Sequence, residues 1–269
     1  MKTGFKLVKE GNLEYLTIPS FEETGLVRHC FTTRRGGVST GEAASLNLSY
    51  KRKDTPENVQ KNFEIICSAI GVDHNKIVFS DQVHGKGIHI ATSEDWGKGL
   101  HRKSDIYDAD GLVTAQKCVP LCTFYADCVP LFFLDPNRKI IACVHSGWKS
   151  TILEIGKEAV SVMKGLGCDP KDILAAVGPS IGPCHFEVGE DVASQFTDKF
   201  GMAVLDRCVG DKAYIDLWKT NCQILLSSGI SDENITLAGR CTYCENNLFY
   251  SYRADNHKTG SLCGIIELI

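Results

Sequence analysis

Apolar positions recur along the chain with two different periods. Between residues 5 and 32 short apolar runs are broken by turns, as strands would be. A polar, glycine-rich stretch, RRGGVSTGEAASLNLS, follows and reads as a loop. The period lengthens at 56–70, where Val59, Phe63, Ile66, Cys67 and Ile70 fall on one helical face. Thr55 can cap this helix, Pro56 suits its first turn, and Gly71 can end it. KIVFSDQVHG predicts a strand running into a turn, and DADGLVT a turn followed by a strand. Residues 119–134, VPLCTFYADCVPLFFL, are two apolar runs interrupted at Ala126, Asp127 and Cys128. KIIACV predicts a buried strand, and residues 150–166 a helix with Ile152, Ile155, Ala159, Met163 and Leu166 inward. DILAAVG predicts another buried strand, and GPSIGPC a loop of constrained geometry. Helical patterns recur near 189–200 and 214–228, and the tail, 235–269, reads mostly as strands. Strands and helices intermingle without a regular βαβ rhythm. The fold class expected is therefore α/β of an α+β-like kind, with mixed sheets and no doubly wound parallel sheet.

The chain has 269 residues, 43% of them hydrophobic, which is enough for a sizeable core. No repeat, low-complexity segment or linker divides it, so one domain over 1–269 is expected. The net charge is −4, and no basic cluster is large enough for a nucleic-acid groove. The nearest, YKRKD at 50–54, reads as a solvated loop. No apolar run approaches the roughly 18 residues that span a bilayer. The N-terminus lacks a secretory h-region. A cytoplasmic protein without membrane or nucleic-acid partners is expected, and the acceptor sequons at Asn47 and Asn234 then carry little weight. The 13 cysteines, an odd number, read mostly as reduced, buried thiols.

Candidate chemistry centres on HSGWKST, at the end of the KIIACV strand. It resembles a phosphate loop, but Trp148 stands where the second glycine must be, so that reading fails. His145 ends the strand beside a glycine. His84, in SDQVHGKG, has the same setting, and Cys128 sits at the break between two apolar runs. Two imidazoles and a thiolate suit zinc, leaving a fourth position for water whose pKa the ion would lower. Asp127 is placed to serve as a general base or to orient a ligand. The same residues also fit a metal-free reading, with Cys128 as nucleophile and His145 as its base. CTYC at 241–244 has the spacing of half a metal site, but a second C-x-x-C is missing, so the pair reads as ordinary thiols. Copper is the weaker metal: there is no H-x-H pair, and the chain has only 3 methionines. Arg34 and Arg253 adjoin apolar or aromatic segments and can meet phosphate oxygens, whereas Arg35 reads as solvent-facing.

FTTRRGGVSTGEAASLNLS, DQVHG, DADGLVT, ADCVPLFFLDP, HSGWKST, GPSIGPCHFEVGEDV and CTYCENNLFYSYRAD occur in that order. Together they resemble the polyphenol oxidase or laccase-domain family, also described as multicopper polyphenol oxidoreductases and now better understood as zinc-dependent purine nucleoside phosphorylases. The resemblance runs from about residue 20 to 269. It implies a single-domain layered sandwich with mixed β-sheets flanked by helices. It implies phosphorolysis of adenosine, inosine, guanosine and methylthioadenosine to base and sugar 1-phosphate, with adenosine deamination besides. The family's metal ligands match His84, Cys128 and His145. Its arginines match Arg34 and Arg253, and Asn47 and Lys149 complete the implied substrate- and phosphate-binding set. The chain departs from the family at Ser146, Lys149 and Ser150 in the HSGWKS turn, and at Ala254 and Ser261, where arginines are usual. A copper-dependent polyphenol oxidoreductase, a cysteine hydrolase using Cys128 and His145, and a non-enzymatic metal-binding partner are the alternatives. The sequence leaves the oligomeric state open.

Overall fold

The computed structural model describes residues 1–269, arranged as three β-sheets and six α-helices. The first sheet runs β1 (Lys2–Thr3), β14 (Ile235–Leu237), β10 (Leu174–Val177), β8 (Val129–Asp135), β9 (Ile140–Ser146), β6 (Gly111–Thr114), β5 (Ile88–Ile90). The second runs β2 (Lys6–Glu10), β3 (Leu13–Thr17), β4 (Val27–Thr32), β15 (Leu262–Leu268), β7 (Leu121–Tyr125). A small third sheet joins β11 (Glu187–Val188), β13 (Lys212–Ile215) and β12 (Leu205–Val209). The helices are α1 (Pro19–Glu22), α2 (Pro56–Ile70), α3 (Trp148–Ile152), α4 (Ile155–Gly165), α5 (Glu190–Phe200) and α6 (Leu217–Ser227). The seven-stranded sheet is mixed. β1, β14 and β10 run parallel, as do β5 and β6, while β10–β8, β8–β9 and β9–β6 are antiparallel. The expected mixed α/β architecture is what the chain forms.

Strand alternation builds the layers. On β9, Ile140, Ala142 and Val144 pack among α4, α5 and α6, while Ile141 and Cys143 pack against the five-stranded sheet. On β8 the same split sets Leu131 and Phe133 against Phe132 and Leu134. The far face of the five-stranded sheet offers Tyr15, Cys30, Cys122 and Ile265 to Val59, Phe63, Ile66 and Cys67 of α2. The order is thus helices, sheet, sheet, helix. Helix α2 follows its signals: Pro56 opens it, the Thr55 hydroxyl accepts from the Asn58 N–H at 3.2 Å, and Gly71 ends it at φ +71°.

Four expectations fail locally. The helix expected over 150–166 is two helices, broken at Glu154, which adopts φ +57°. Lys199 of α5 holds the break, donating to the Ile152 carbonyl at 2.6 Å and pairing with Glu154 at 2.9 Å. Leu166, expected inward, is 37% exposed just beyond α4. KIVFSDQVHG is a loop in which only Val78 bridges to Leu121, because its backbone bonds go to neighbouring loops. In the tail only β14 and β15 are strands. The polar residues of 238–261 satisfy one another in turns, with Asp255 accepting from Asn246 and Thr259.

Candidate functional site

Register brings the first two candidates together. Pro130 of β8 pairs with His145 of β9, so Cys128 arrives beside His145 and Gly147. By alternation His145 shares a face with Ile141 and Cys143, and Cys128 with Pro130 and Phe132. Both side chains therefore point into the mouth of the layer between the two large sheets. On the other side of β9, Asp110 precedes β6, and its carbonyl accepts from the His145 N–H at 2.7 Å.

Asp110 is fully buried and organises the rest. Its Oδ1 lies 2.8 Å from His145 Nδ1 and accepts from the His84 N–H at 2.9 Å. Its Oδ2 accepts from the Gly85 and Val83 N–H groups at 2.7 and 3.2 Å. Burial pushes this carboxyl up, but those hydrogen bonds more than offset it and leave the pKa lowered. An ionised Asp110 fixes the tautomer with hydrogen on His145 Nδ1, turning Nε2 toward Cys128. Burial pulls the His145 imidazole down, but the facing Cys128 sulfur, as thiolate, and Asp110 raise it to about 9, and a metal bound at Nε2 would displace the added proton. The His84 imidazole is lowered, by burial and then by neighbouring His145. Asp110 also holds the loop on which His84 adopts φ +60°, and this carries the imidazole to 4.8 Å, ring centre to ring centre, from His145.

The residues fit a metal ion. One donor atom from each of His84, Cys128 and His145 lies within 4.8 Å of the others. Ligands around one tetrahedral ion stand roughly 3.5 Å apart, so a small closure completes the set. Gly147 keeps the space clear: a Cβ there would stand 2.7 Å from His84 Nδ1, 3.3 Å from Cys128 Sγ and 3.5 Å from His145 Cε1. Its backbone, φ −67° and ψ 169°, needs no glycine, so the requirement is for room at the cluster.

The trio sits on the wall of a cavity of about 650 Å³. Phe79, Phe124, Tyr125, Trp148 and Tyr252 supply aromatic walls, and Lys51 and Arg52 supply cations. The other sequence candidates do not line this cavity. Arg34 donates to the carbonyls of Asn246 at 2.7 Å and Ala44 at 3.3 Å and lies over the Tyr250 ring. Arg253 donates to the Glu187 carbonyl through both terminal nitrogens at 3.2 Å. Asn47 is buried, giving its amide to Ser49 and Asp54 and accepting from the Ser49 and Ser261 N–H groups. Lys149 is exposed on α3 with its ammonium 5.5 Å from the Trp148 ring. Asp127, at φ +83°, accepts from the Thr242 hydroxyl at 2.6 Å and the Arg253 N–H at 2.7 Å. Burial raises its pKa against those hydrogen bonds. Arg34, Arg253, Asn47 and Asp127 brace loops around the site, whereas Lys149 makes no side-chain hydrogen bond or ion pair.

Two residues escaped the sequence reading. Asp110 lay in DADGLVT with nothing to mark it as buried. Arg52 lay in YKRKD, which was expected to face solvent. Its Nε donates to Ser261 at 2.9 Å, and its guanidinium lies over the Tyr252 ring at 5.6 Å. Ser261 is one of the positions where an arginine is usual in the resembled family, so Arg52 brings a guanidinium to that place from another loop.

Fold and cluster together describe an α/β sandwich with a His–Cys–His group at the end of its inter-sheet layer. The family model described as multi-copper polyphenol oxidoreductase laccase matches residues 28–269, and the chain belongs to this family. It is 38% identical over 242 residues to purine nucleoside phosphorylase YlmD of Bacillus subtilis, covering 88% of this chain and 87% of that one. It is 34% identical over 257 residues to purine nucleoside phosphorylase YfiH of Escherichia coli, covering 94% and 99%. The crystal structure of hypothetical protein YfiH from Bacillus licheniformis superposes with TM-score 0.92 at 30% identity, covering 98% of this chain and 99% of that one. No helix is long and apolar enough to cross a membrane.

Proposed function

We propose that the protein is a zinc-dependent purine nucleoside phosphorylase. It takes adenosine, inosine, guanosine or methylthioadenosine with inorganic phosphate and yields base and sugar 1-phosphate, with adenosine deamination as a second activity. The observation that carries this reading is the convergence of His84, Cys128 and His145 on an aromatic-walled cavity that also holds Arg52. The names of the relatives supply the reaction.

Within that cavity, Phe124 and Trp148 offer apolar walls against which a purine packs. Arg52 offers a planar fork to phosphate, fixed by Ser261 and the Tyr252 ring, with Lys51 beside it. The substrates are thereby aligned for phosphate to attack the ribose anomeric carbon as the base leaves. Zinc, when bound, supplies a Lewis acid on the cavity wall. Asp110 keeps His145 oriented, and Asp127 positions the loops of Thr242 and Arg253. The donor set favours zinc over copper. A copper site of two histidines and one cysteine takes a weak axial ligand, methionine, glutamine or a backbone oxygen, and Gln82, the glutamine in this cavity, is tied through both ends of its amide to the Phe124 backbone. Here Met163 is buried among the helices, and Met1 and Met202 are exposed at 53% and 68%.

The test is conversion of inosine to hypoxanthine by the purified protein, dependent on phosphate and abolished by Cys128→Ala. Phosphate-independent release, or unchanged turnover in the variant, sinks the assignment. Formation of inosine from adenosine without phosphate tests the second activity.

A further inference from the structure

Four more potential ligands gather elsewhere in the molecule. Cys184 and His185 belong to the loop between β10 and β11, and Cys241 and Cys244 to the turns after β14. One donor atom from each lies within 4.8 Å of the rest. We propose that Cys184, His185, Cys241 and Cys244 form a second metal site, which takes zinc as a structural ion.

The geometry is that of a tetrahedral site awaiting its centre. Around zinc, with Zn–S near 2.3 Å and Zn–N near 2.05 Å, sulfurs stand about 3.8 Å apart and a sulfur and a nitrogen about 3.6 Å apart. Here Cys184 Sγ and Cys244 Sγ are 3.6 Å apart. His185 Nδ1 lies 3.3 Å from Cys244 Sγ and 3.9 Å from Cys241 Sγ. The Gly182 N–H donates to Cys241 Sγ at 3.2 Å, a contact that stabilises a metal-bound thiolate. The His185 ring is held flat against Tyr243 at 3.9 Å and 14°, which aims Nδ1 inward.

Three sulfurs and one imidazole select zinc among common divalent ions. Four protein donors fill the coordination sphere, so this site is closed, where the His84, Cys128, His145 set leaves a position open. Its place in the fold gives it a role. It joins two loops that already meet through the Ser180–Cys241 bridge and the Thr242 N–H to Ser180 carbonyl bond at 3.0 Å. Thr242 and Arg253, both held by Asp127, lie beside it. The ion would therefore lock two loops that reach the cavity wall through Asp127, the neighbour of Ala126 and Cys128. CTYC read as ordinary thiols because its partners lie upstream in GPSIGPCHF rather than in a second C-x-x-C.

The experiment is elemental analysis of the full chain, purified from zinc-supplemented cells without chelator. Two zinc ions per chain are expected in the parent, one after Cys244→Ser, one after Cys128→Ser, and none in the double variant. Zinc that survives Cys128→Ser but is lost with Cys244→Ser upholds this site, whatever the fate of the proposed function. A parent with a single zinc that Cys128→Ser removes overturns it. A variant that fails to fold is bypassed with the parent loaded with cobalt. Two equivalents must then bind, and one of them must add an intense charge-transfer band of three thiolates, stronger than the single thiolate of Cys128 can give, and shield Cys184, Cys241 and Cys244 from alkylation. A cobalt spectrum without that band, or a disulfide among these three cysteines in protein prepared without oxidant, contradicts the proposal.

Discussion

Replacing Gly147 by alanine tests the metal-site geometry with the least disturbance elsewhere. The backbone there is extended, at φ −67°, so alanine incurs no backbone strain, and the crowding at the cluster costs about 1–3 kcal/mol. The melting temperature then falls by about 2–12 °C, well short of unfolding the protein at assay temperature. The local effect is large. The new Cβ stands 2.7 Å from His84 Nδ1, where ordinary contact begins near 3.4 Å, so the imidazole must retreat by about 0.7 Å. Metal–ligand distances tolerate only about 0.2 Å. Cys128 Sγ, at 3.3 Å, is crowded as well. A lost ligand costs at least the 10–100-fold of affinity that follows loss of a ligand's own support. Competition against a zinc chelator reads this directly, with thermal melting as the control for fold. Unchanged zinc affinity and turnover in Gly147→Ala would falsify the assignment of His84, Cys128 and Gly147 to one metal pocket.

Asp110→Asn keeps the shape but sets an amide NH2 against a ring of donors. It should lower zinc affinity by about 10–100-fold and stability by about 1–3 kcal/mol, read by chelator competition and urea unfolding. Arg52→Ala should raise the KM for phosphate by about tenfold or more while leaving that for nucleoside nearly unchanged, and Arg52→Lys should recover only part of it. Stability should fall in acid in a way that Asp54→Asn flattens. Burial tends to raise the Asp54 carboxyl, but hydrogen bonds from Ser39, Asn47, Asn58 and the Thr55 N–H hold it below its usual value. Its contribution is therefore complete above the unfolded pKa near 3.9 and lost as pH falls through the lower folded one. Unfolding of parent and variant across pH 2–6 measures it. Stripping the open-site metal should abolish turnover, and full activity in the stripped protein would instead favour Cys128 as a nucleophile.

Local signals were legible in the sequence where they were redundant. Helix α2 carried a cap, an N-terminal proline, a clear period and a closing glycine, and it forms as read. His84 and His145 could be picked out because each ends an expected strand beside a glycine, and Cys128 because it lies at the break between two apolar runs. The α3–α4 break was hidden, since Ile152, Ile155, Ala159 and Met163 fit one continuous helix. What divides it is Lys199, which arrives from α5. Leu248, Phe249 and Tyr250 look like a strand, yet they are buried in turns because the Leu248 and Phe249 N–H groups both turn back to the Glu245 carbonyl. The same limit hid the rest of the site. Asp110 matters because three backbone amides and an imidazole converge on it. Arg52 matters because β15 brings Ser261 beneath it, and CTYC because a distant loop returns to it. Each of these depends on contacts between segments far apart in the chain.

The central claim is that one metal-bearing cavity performs phosphorolysis. Its most direct measurement is product analysis after the zinc-loaded protein meets inosine and phosphate, with the stripped protein alongside. Hypoxanthine and ribose 1-phosphate are expected in equal amounts, formed only with both zinc and phosphate present. Ribose in place of ribose 1-phosphate, or no release of base at all, would contradict it.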